Sequence, residues 1–208
     1  LPFRMQCYGQ FVLDEFKLSE IRGRTGWWAN KYASQAGIKA YNLFGISNVD
    51  MQLEYNAVRP FTYSHFASEG NWAHYGQAMA HPLGANFREG IVKITAQVLP
   101  KLRIQATAIS FVRGEDTSLS AANYGGDILR NYSKRAKEFD NYIGQGKEVR
   151  GQMYQLNIGW MLAHNVVLEG TAFLRKTNSD NEVRNPLTRS IVIGLRWNLM
   201  AEHHLQLF

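Results

Sequence analysis

The feature that most constrains this chain is an alternation with a period of two residues, repeated in one segment after another. Across 49–57, Val49, Met51, Leu53, Tyr55 and Ala57 take one set of alternate positions, and Asp50, Gln52, Glu54 and Asn56 take the other. Successive side chains of a strand point to opposite faces, so this reads as a strand with one apolar and one wet side. The same pattern returns with Ile191, Ile193, Leu195, Trp197 and Leu199, and with Val92, Ile94, Ala96 and Val98 against Lys93, Thr95 and Gln97. It recurs over 152–160 and over 166–175. A helical period would put charges inside every apolar stripe. No apolar run approaches the ~18–20 residues of a membrane-spanning helix. Alternating membrane strands, however, are half polar and leave average hydropathy low.

The connections sharpen the reading. Three are tight and carry turn residues: Ser47 and Asn48; Pro100 and Lys101; Ala163, His164 and Asn165. Four are longer, near 17–26, 67–80, 115–147 and 178–186. Long and short connections alternate strictly, which defines about eight strands near 4–16, 27–46, 49–66, 81–99, 102–114, 148–162, 166–177 and 187–200. Short turns on one rim and long loops on the other are the arrangement of a transmembrane up-and-down antiparallel β-barrel. The expectation is therefore an all-β chain, 1–208 forming one outer-membrane barrel unit of about eight strands. Aromatic residues make up 12% of the chain, enough for two interfacial girdles. Tyr41, Phe44, Trp160 and Trp197 lie near the short turns, and Trp27, Trp28, Phe61, Tyr63 and Phe66 near the long loops.

The formal charge is +6. The basic residues are dispersed and accompany no nucleic-acid-binding motif, so nucleic acid is not an expected partner. A polyanion of a cell surface suits the charge better, such as lipopolysaccharide or an acidic capsule sugar. Cys7 is the single cysteine and excludes an internal disulfide framework. The chain opens at Leu1 without an initiator Met, as a mature product or a fragment of a longer protein would.

Four segments resemble the capsule-assembly (Wzi-like) and gliding-motility-associated outer-membrane proteins of Bacteroidota. They are Tyr8-Gly9-Gln10-Phe11-Val12-Leu13-Asp14-Glu15-Phe16, Trp27-Trp28-Ala29-Asn30-Lys31-Tyr32, Arg59-Pro60-Phe61-Thr62-Tyr63-Ser64-His65 and Ala80-His81-Pro82-Leu83-Gly84-Ala85-Asn86-Phe87-Arg88-Glu89. The resemblance runs through most of the chain and looks like the C-terminal part of that family, whose members form larger barrels. It implies a Gram-negative outer membrane, contact with its lipid and lipopolysaccharide, and a role in surface polysaccharide attachment or assembly. A place in gliding or secretion machinery beside other outer-membrane proteins is equally implied. A diffusion porin or transporter is the alternative function.

Catalytic constellations are scarce, and no enzyme, cofactor or metal is expected. Asp14 and Glu15 are adjacent on a strand and should not converge on one bond. Ser64 and His65 lack an acidic partner and nucleophile-elbow glycines. The six His lack zinc-ligand spacing. Two groups of residues are candidates for ligand binding. Asn86 and Arg88, beside His81, form a polar cluster that reads either as a sugar site or as a strand entry shaped by Pro82 and Gly84. Lys93 and Arg103, with Lys39 and Arg196, fall on the polar face alongside Asp50, Glu54 and Glu169. Part of this set would pair and brace the barrel, and some of the basic groups would stay available to an anionic ligand. The long loop near 115–147 carries Arg130, Lys134, Arg135 and Lys137 against Asp127, Glu138 and Asp140. It would serve as a plug, a docking segment or a solvated loop.

Overall fold

A computed structural model describes residues 4–116, 122–179 and 186–198. It contains one eight-stranded, wholly antiparallel sheet in which every strand lies beside its neighbour in sequence. The strands are β1 (Arg4–Glu15), β2 (Lys31–Tyr41), β3 (Val49–Val58), β6 (Phe87–Leu99), β7 (Leu102–Glu115), β8 (Lys147–Ala163), β9 (Val166–Ser179) and β10 (Leu187–Trp197). A separate two-stranded ribbon, β4 (Ala73–His74) with β5 (Gln77–Ala78), and a short helix α1 (Leu18–Arg22) sit in the long connections. β1 and β10 are the two edges of the large sheet.

Opposed residues of an antiparallel pair point to the same side, so the register assigns the faces. One row crosses all eight strands as Met5, Ala40, Met51, Ile94, Ala106, Leu156, Ala172 and Ile191. The next residue on each strand builds the opposite row: Gln6, Lys39, Gln52, Lys93, Thr107, Gln155, Phe173 and Ser190. The first row is wholly apolar and the second is polar except for Phe173. Leu53, Ile94, Leu156, Leu168 and Ile193 share the apolar face and are 39%, 40%, 40%, 43% and 76% exposed. No other layer of the described chain covers it.

The expected boundaries need trimming at the rims. Residues 27–30 precede β2, and β3 ends at Val58 before Pro60. Residues 81–86 form an entry in which Gly84 and Asn86 have positive φ, so β6 starts only at Phe87. The turn expected at Ser47 and Asn48 is wider, because a 3-10 turn (Leu43–Gly45) fills it. Asn42 and Asn48 take left-handed φ there, and the Asn42 Oδ1 accepts the Asn48 N–H at 2.9 Å. The other two short connections are tight, with Pro100 and Lys101 joining β6 to β7 and His164 and Asn165 joining β8 to β9. All three lie side by side on one rim: the Asn48 carbonyl accepts from Gln97, and the Lys101 carbonyl from Met161. Long connections occupy the opposite rim. Residues 180–185 of the fourth, and the chain beyond 198, lie outside the described residues.

The buried core lies where these long connections fold against the strand ends, and it takes in Ala33, Val58, Phe111 and Val149 of the sheet. Phe61, Tyr63, Ala85, Phe87 and Ile128 are buried, together with Lys31, Asn86, Asn123, Asn141 and Gln145. Asn86 is its central bracket. Its amide donates to the carbonyls of Gln145 at 2.9 Å and Gly114 at 3.2 Å, and its Oδ1 accepts from the Gly144 N–H at 2.8 Å. A Cβ on Gly114 would stand 1.9 Å from the Gln145 carbonyl oxygen, so only glycine lets the loop and β7 approach this closely. The aromatics expected as a girdle at this rim belong largely to the same cap. Phe61 and Tyr63 are buried, and Trp28 packs edge-on to Phe61 at 5.9 Å. At the short-turn rim Phe44, Trp160 and Trp197 are exposed, whereas Tyr41 turns to the polar face and donates to Gln6.

Replacing Asn86 with Ala leaves a buried amide N–H and two carbonyls without these partners, at a cost on the order of 3 kcal/mol. Limited proteolysis should then cut within 116–146 in the variant while strand content by circular dichroism stays unchanged. An equally resistant loop would contradict the bracket role.

Candidate functional site

The polar face of the sheet gathers the ionisable side chains that the strands carry between the two rims. Over β1–β3 and the long-loop end of β6, two of them, Glu54 and Glu89, are already engaged in a hydrogen-bonded network. Glu54 is the hub: its Oε2 accepts from the Tyr8 hydroxyl at 2.5 Å and from Gln52 at 3.3 Å. Its Oε1 accepts from Asn56 at 3.0 Å and Gln35 at 3.1 Å. Tyr8 reaches it by lying flat over Gly37, where any Cβ would stand 2.2 Å from the ring. Asn56 also donates to Glu89 at 3.2 Å, and His81 contacts the same Glu89 oxygen at 3.1 Å. The Nδ1 of His81 accepts the Leu83 N–H at 3.2 Å, which assigns its proton to Nε2 and makes that nitrogen the donor to Glu89. A carboxylate with four donors has little capacity left, so this half braces the sheet.

Over β6–β10 the same face is open. A cavity of about 430 Å³ is lined by Gln97, Lys101, Arg103, Gln105, Asn157, Glu169, Thr171 and Arg196 among others. Arg196 donates to Glu169 at 2.7 Å, and Asn157 accepts from Thr171 at 2.9 Å and Gln155 at 3.0 Å. Among the described residues neither Lys93 nor Arg103 has a hydrogen bond or ion pair. Lys93 faces Thr107, two rows along β7 from Arg103, which separates their backbones by roughly 13 Å. Two free cations with amides and hydroxyls between them make a surface that can hold a polyhydroxylated anion at several points.

The five residues singled out from the sequence therefore occupy four places. Lys93 and Arg103 lie on the open polar face. His81 stacks on Phe87 at 4.4 Å and closes the engaged half. Asn86 is buried in the cap, and Arg88 stands on the apolar face, opposite Ala57 and Val112. Lys39, Arg196, Asp50, Glu54 and Glu169 share the polar face as read from the alternation. Of the neutral partners of Glu54, Gln52 and Asn56 follow from the alternation along β3, whereas Tyr8 and Gln35 could be found only from cross-strand register.

Above this face, the loop cap forms a second concentration of charge and aromatic rings. Both indole N–H groups of Trp27 and Trp28 donate to Glu138 Oε1, at 3.1 and 3.0 Å, while the Arg135 guanidinium binds Oε2 and lies 4.5 Å from the Trp28 ring. Burial works to raise the Glu138 pKa, but hydrogen bonds from Arg135 and the two indoles outweigh it and hold the carboxyl below the usual glutamate range. Lys31, fully buried, donates to the Ser64 carbonyl at 2.9 Å, pairs with Glu15 at 3.2 Å and faces the Tyr132 ring at 4.5 Å. Asp14 braces the cap as well, accepting from the Tyr63 N–H at 3.3 Å and standing 3.5 Å from His65. Ser64 spends its hydroxyl on the Phe61 carbonyl at 2.8 Å rather than on His65. These groups knit three long connections together, and none of them faces the open cavity. His203 and His204 lie outside the described residues.

Comparison with known proteins adds no assignment: no family model, curated protein or solved structure matches this chain.

Proposed function

We propose that this chain is a membrane-spanning portion of a bacterial outer-membrane β-barrel, and that its polar face holds an acidic cell-surface polysaccharide. The observation that supports the membrane reading is the uninterrupted apolar row from Met5 to Ile191 backed by a polar row. Eight strands about 4.8 Å apart, uncharged over some 25 Å of their length, present on the order of 1,000 Å² of apolar surface. Soluble monomers rarely expose more than a few hundred. Lipid is the solvent that such a face requires, and water fills the other side. Short turns then sit in the periplasm and the loop cap outside. Bare strand edges are untenable in hydrocarbon, so β1 and β10 pair in the membrane, either with each other or through further strands of a larger barrel.

The polysaccharide reading rests on Lys93 and Arg103, the accessible amides between them, and the resemblance of four segments to capsule-assembly and gliding-associated barrels. The role is one of holding and organising rather than of chemistry. The same free cations would also suit a diffusion porin for anions, which is the second reading. Planar-bilayer conductance separates the two: a holding protein stays closed under its cap, and a porin conducts.

Two results follow. Arg at Ile94, Leu156 or Ile193 should lower folded stability in a bilayer by about 2–4 kcal/mol near the midplane, read as loss of heat-modifiable migration. Unaffected migration at all three positions would favour a soluble sandwich. Replacing Lys93 and Arg103 together with Gln should weaken binding of an acidic polysaccharide in a variant that still migrates as folded. Wild-type binding should also fall with added salt, because accessible charges are screened over ~8–10 Å at physiological ionic strength. Undiminished binding by the folded double variant would remove these two residues as ligands.

A further inference from the structure

The apolar face carries charge in only one zone. Among the described strand residues its charged positions are Arg88, Glu148, Arg150, Lys176 and Arg189, and all stand toward the long-loop rim. Arg88 and Arg150 share a row through Val112. Lys176 is opposite Gln152, one row below Arg150, and Arg189 is opposite Leu174, one row lower again. The four cations thus descend obliquely from β6 to β10, with one step between adjacent strands of about 5 Å. A single carboxylate accompanies them: Glu148 pairs with Arg150 at 2.6 Å, with the Arg150 side chain 68% exposed. An ion pair so open to water is weak and easily exchanged. Arg88, Lys176 and Arg189 have no ion pair among the described residues.

Directly beneath, the small side chains of Ala106, Ala108 and Ala172 leave a hollow among the larger ones of the apolar face. A depression of about 790 Å³ is lined by Val92, Ile94, Tyr154, Leu156 and Ile191, with Arg189 at its edge. Tyr55 and Tyr154, 51% and 48% exposed, stand on the same face at the border between the charged and uncharged zones. Tyrosine there matches a lipid–water boundary.

We infer that the zone of Arg88, Arg150, Lys176 and Arg189 is a docking surface for a phosphorylated glycolipid of the outer leaflet. The phosphates bind the cations and the acyl chains lie in the depression below Arg189. Charge complementarity selects this occupant: four cations against one carboxylate, set above hydrocarbon-contacting surface, fit a headgroup with more than one phosphate. Guanidinium forks at three of the four positions suit phosphate oxygens. The inference rests on the barrel reading and deepens it, because it orients the chain with its loop cap in the phosphate-bearing leaflet.

The test uses the full chain refolded in detergent micelles and titrated with diphosphorylated lipid A or its dephosphorylated form, bound lipid being counted by native mass spectrometry. Heat-modifiable migration is scored first. The wild type should prefer the diphosphorylated lipid. The variant R88Q/R150Q/K176Q/R189Q should bind it at least about tenfold more weakly, with binding of the dephosphorylated lipid unchanged. Removing as many charges from the cap, by R22Q/R24Q/K134Q/K137Q, should leave the preference intact. The paired variant R88Q/K176Q, which disturbs folding least, should show a smaller loss in the same direction. A folded chain with no preference for phosphate, or an equal loss in the cap variant, overturns this inference and leaves the barrel reading standing. A chain that never acquires heat-modifiable migration contradicts the barrel reading and this inference with it.

Discussion

The constraint on which the rest depends is that a sheet satisfies its own backbone and therefore needs only a solvent for each face. Here the antiparallel ladders pair strand after strand from β1 to β10. No second layer of described chain covers the apolar face, while the loop cap buries the polar face only toward one rim, at Ala33, Val58, Phe87 and Phe111. One face offers an unbroken apolar row and the other a polar row one residue away. A protein in water would close such a sheet against a partner layer, because apolar burial is its main stabilising term. This chain instead gathers its buried residues where the loop cap meets the strand ends. Phe61, Asn86, Phe87 and Gln145 are enclosed in the loop cap. The cap is held by specific hydrogen bonds around Asn86 and Glu138 as well as by apolar contact.

The two halves of the polar face divide the work of carrying charge through the sheet. On β1–β3 the carboxylate of Glu54 is compensated by neutral donors, so its charge is held without a cation. On β6–β10 the cations Lys93 and Arg103 are left accessible. The asymmetry concentrates any attraction for anions at the second half, beside the Glu169 and Arg196 pair. Among the described strand residues, charges on the apolar face are confined to one rim, where, on the proposed reading, Arg88 and Lys176 would reach water or headgroups without crossing hydrocarbon.

Much of this architecture was legible in the amino-acid order, because a strand with unlike faces writes its alternation directly. Leu53, Ile94, Leu156, Leu168 and Ile193 were assigned to one side from period alone, and Lys39, Lys93, Arg103 and Arg196 to the other. The strict order of long and short connections placed the rims, since turn residues such as Pro100 and Asn165 have local requirements. The cap was not legible. Its bonds join residues far apart in sequence, such as Trp27 with Glu138 and Asn86 with Gln145, and no periodicity announces such pairs. That is why Phe61 and Tyr63 read as girdle aromatics although they are core. Arg88 read as part of a polar cluster with Asn86 for a related reason: the strand entry between them turns the two side chains to different surroundings.

The central claim is that one face of the sheet meets lipid and the other meets water. Nitroxide scanning along β8 tests it most directly. With Cys7 replaced by Ser, single cysteines at 152–160 would be labelled in the chain refolded into phospholipid vesicles, and collision with oxygen compared with collision with a water-soluble nickel chelate. Oxygen accessibility should peak at Tyr154, Leu156, Ile158 and Trp160, and nickel accessibility at Met153, Gln155, Asn157 and Gly159, with a period of two residues. Equal access of the nickel chelate to both sets would mean that both faces are wet, and would contradict the account.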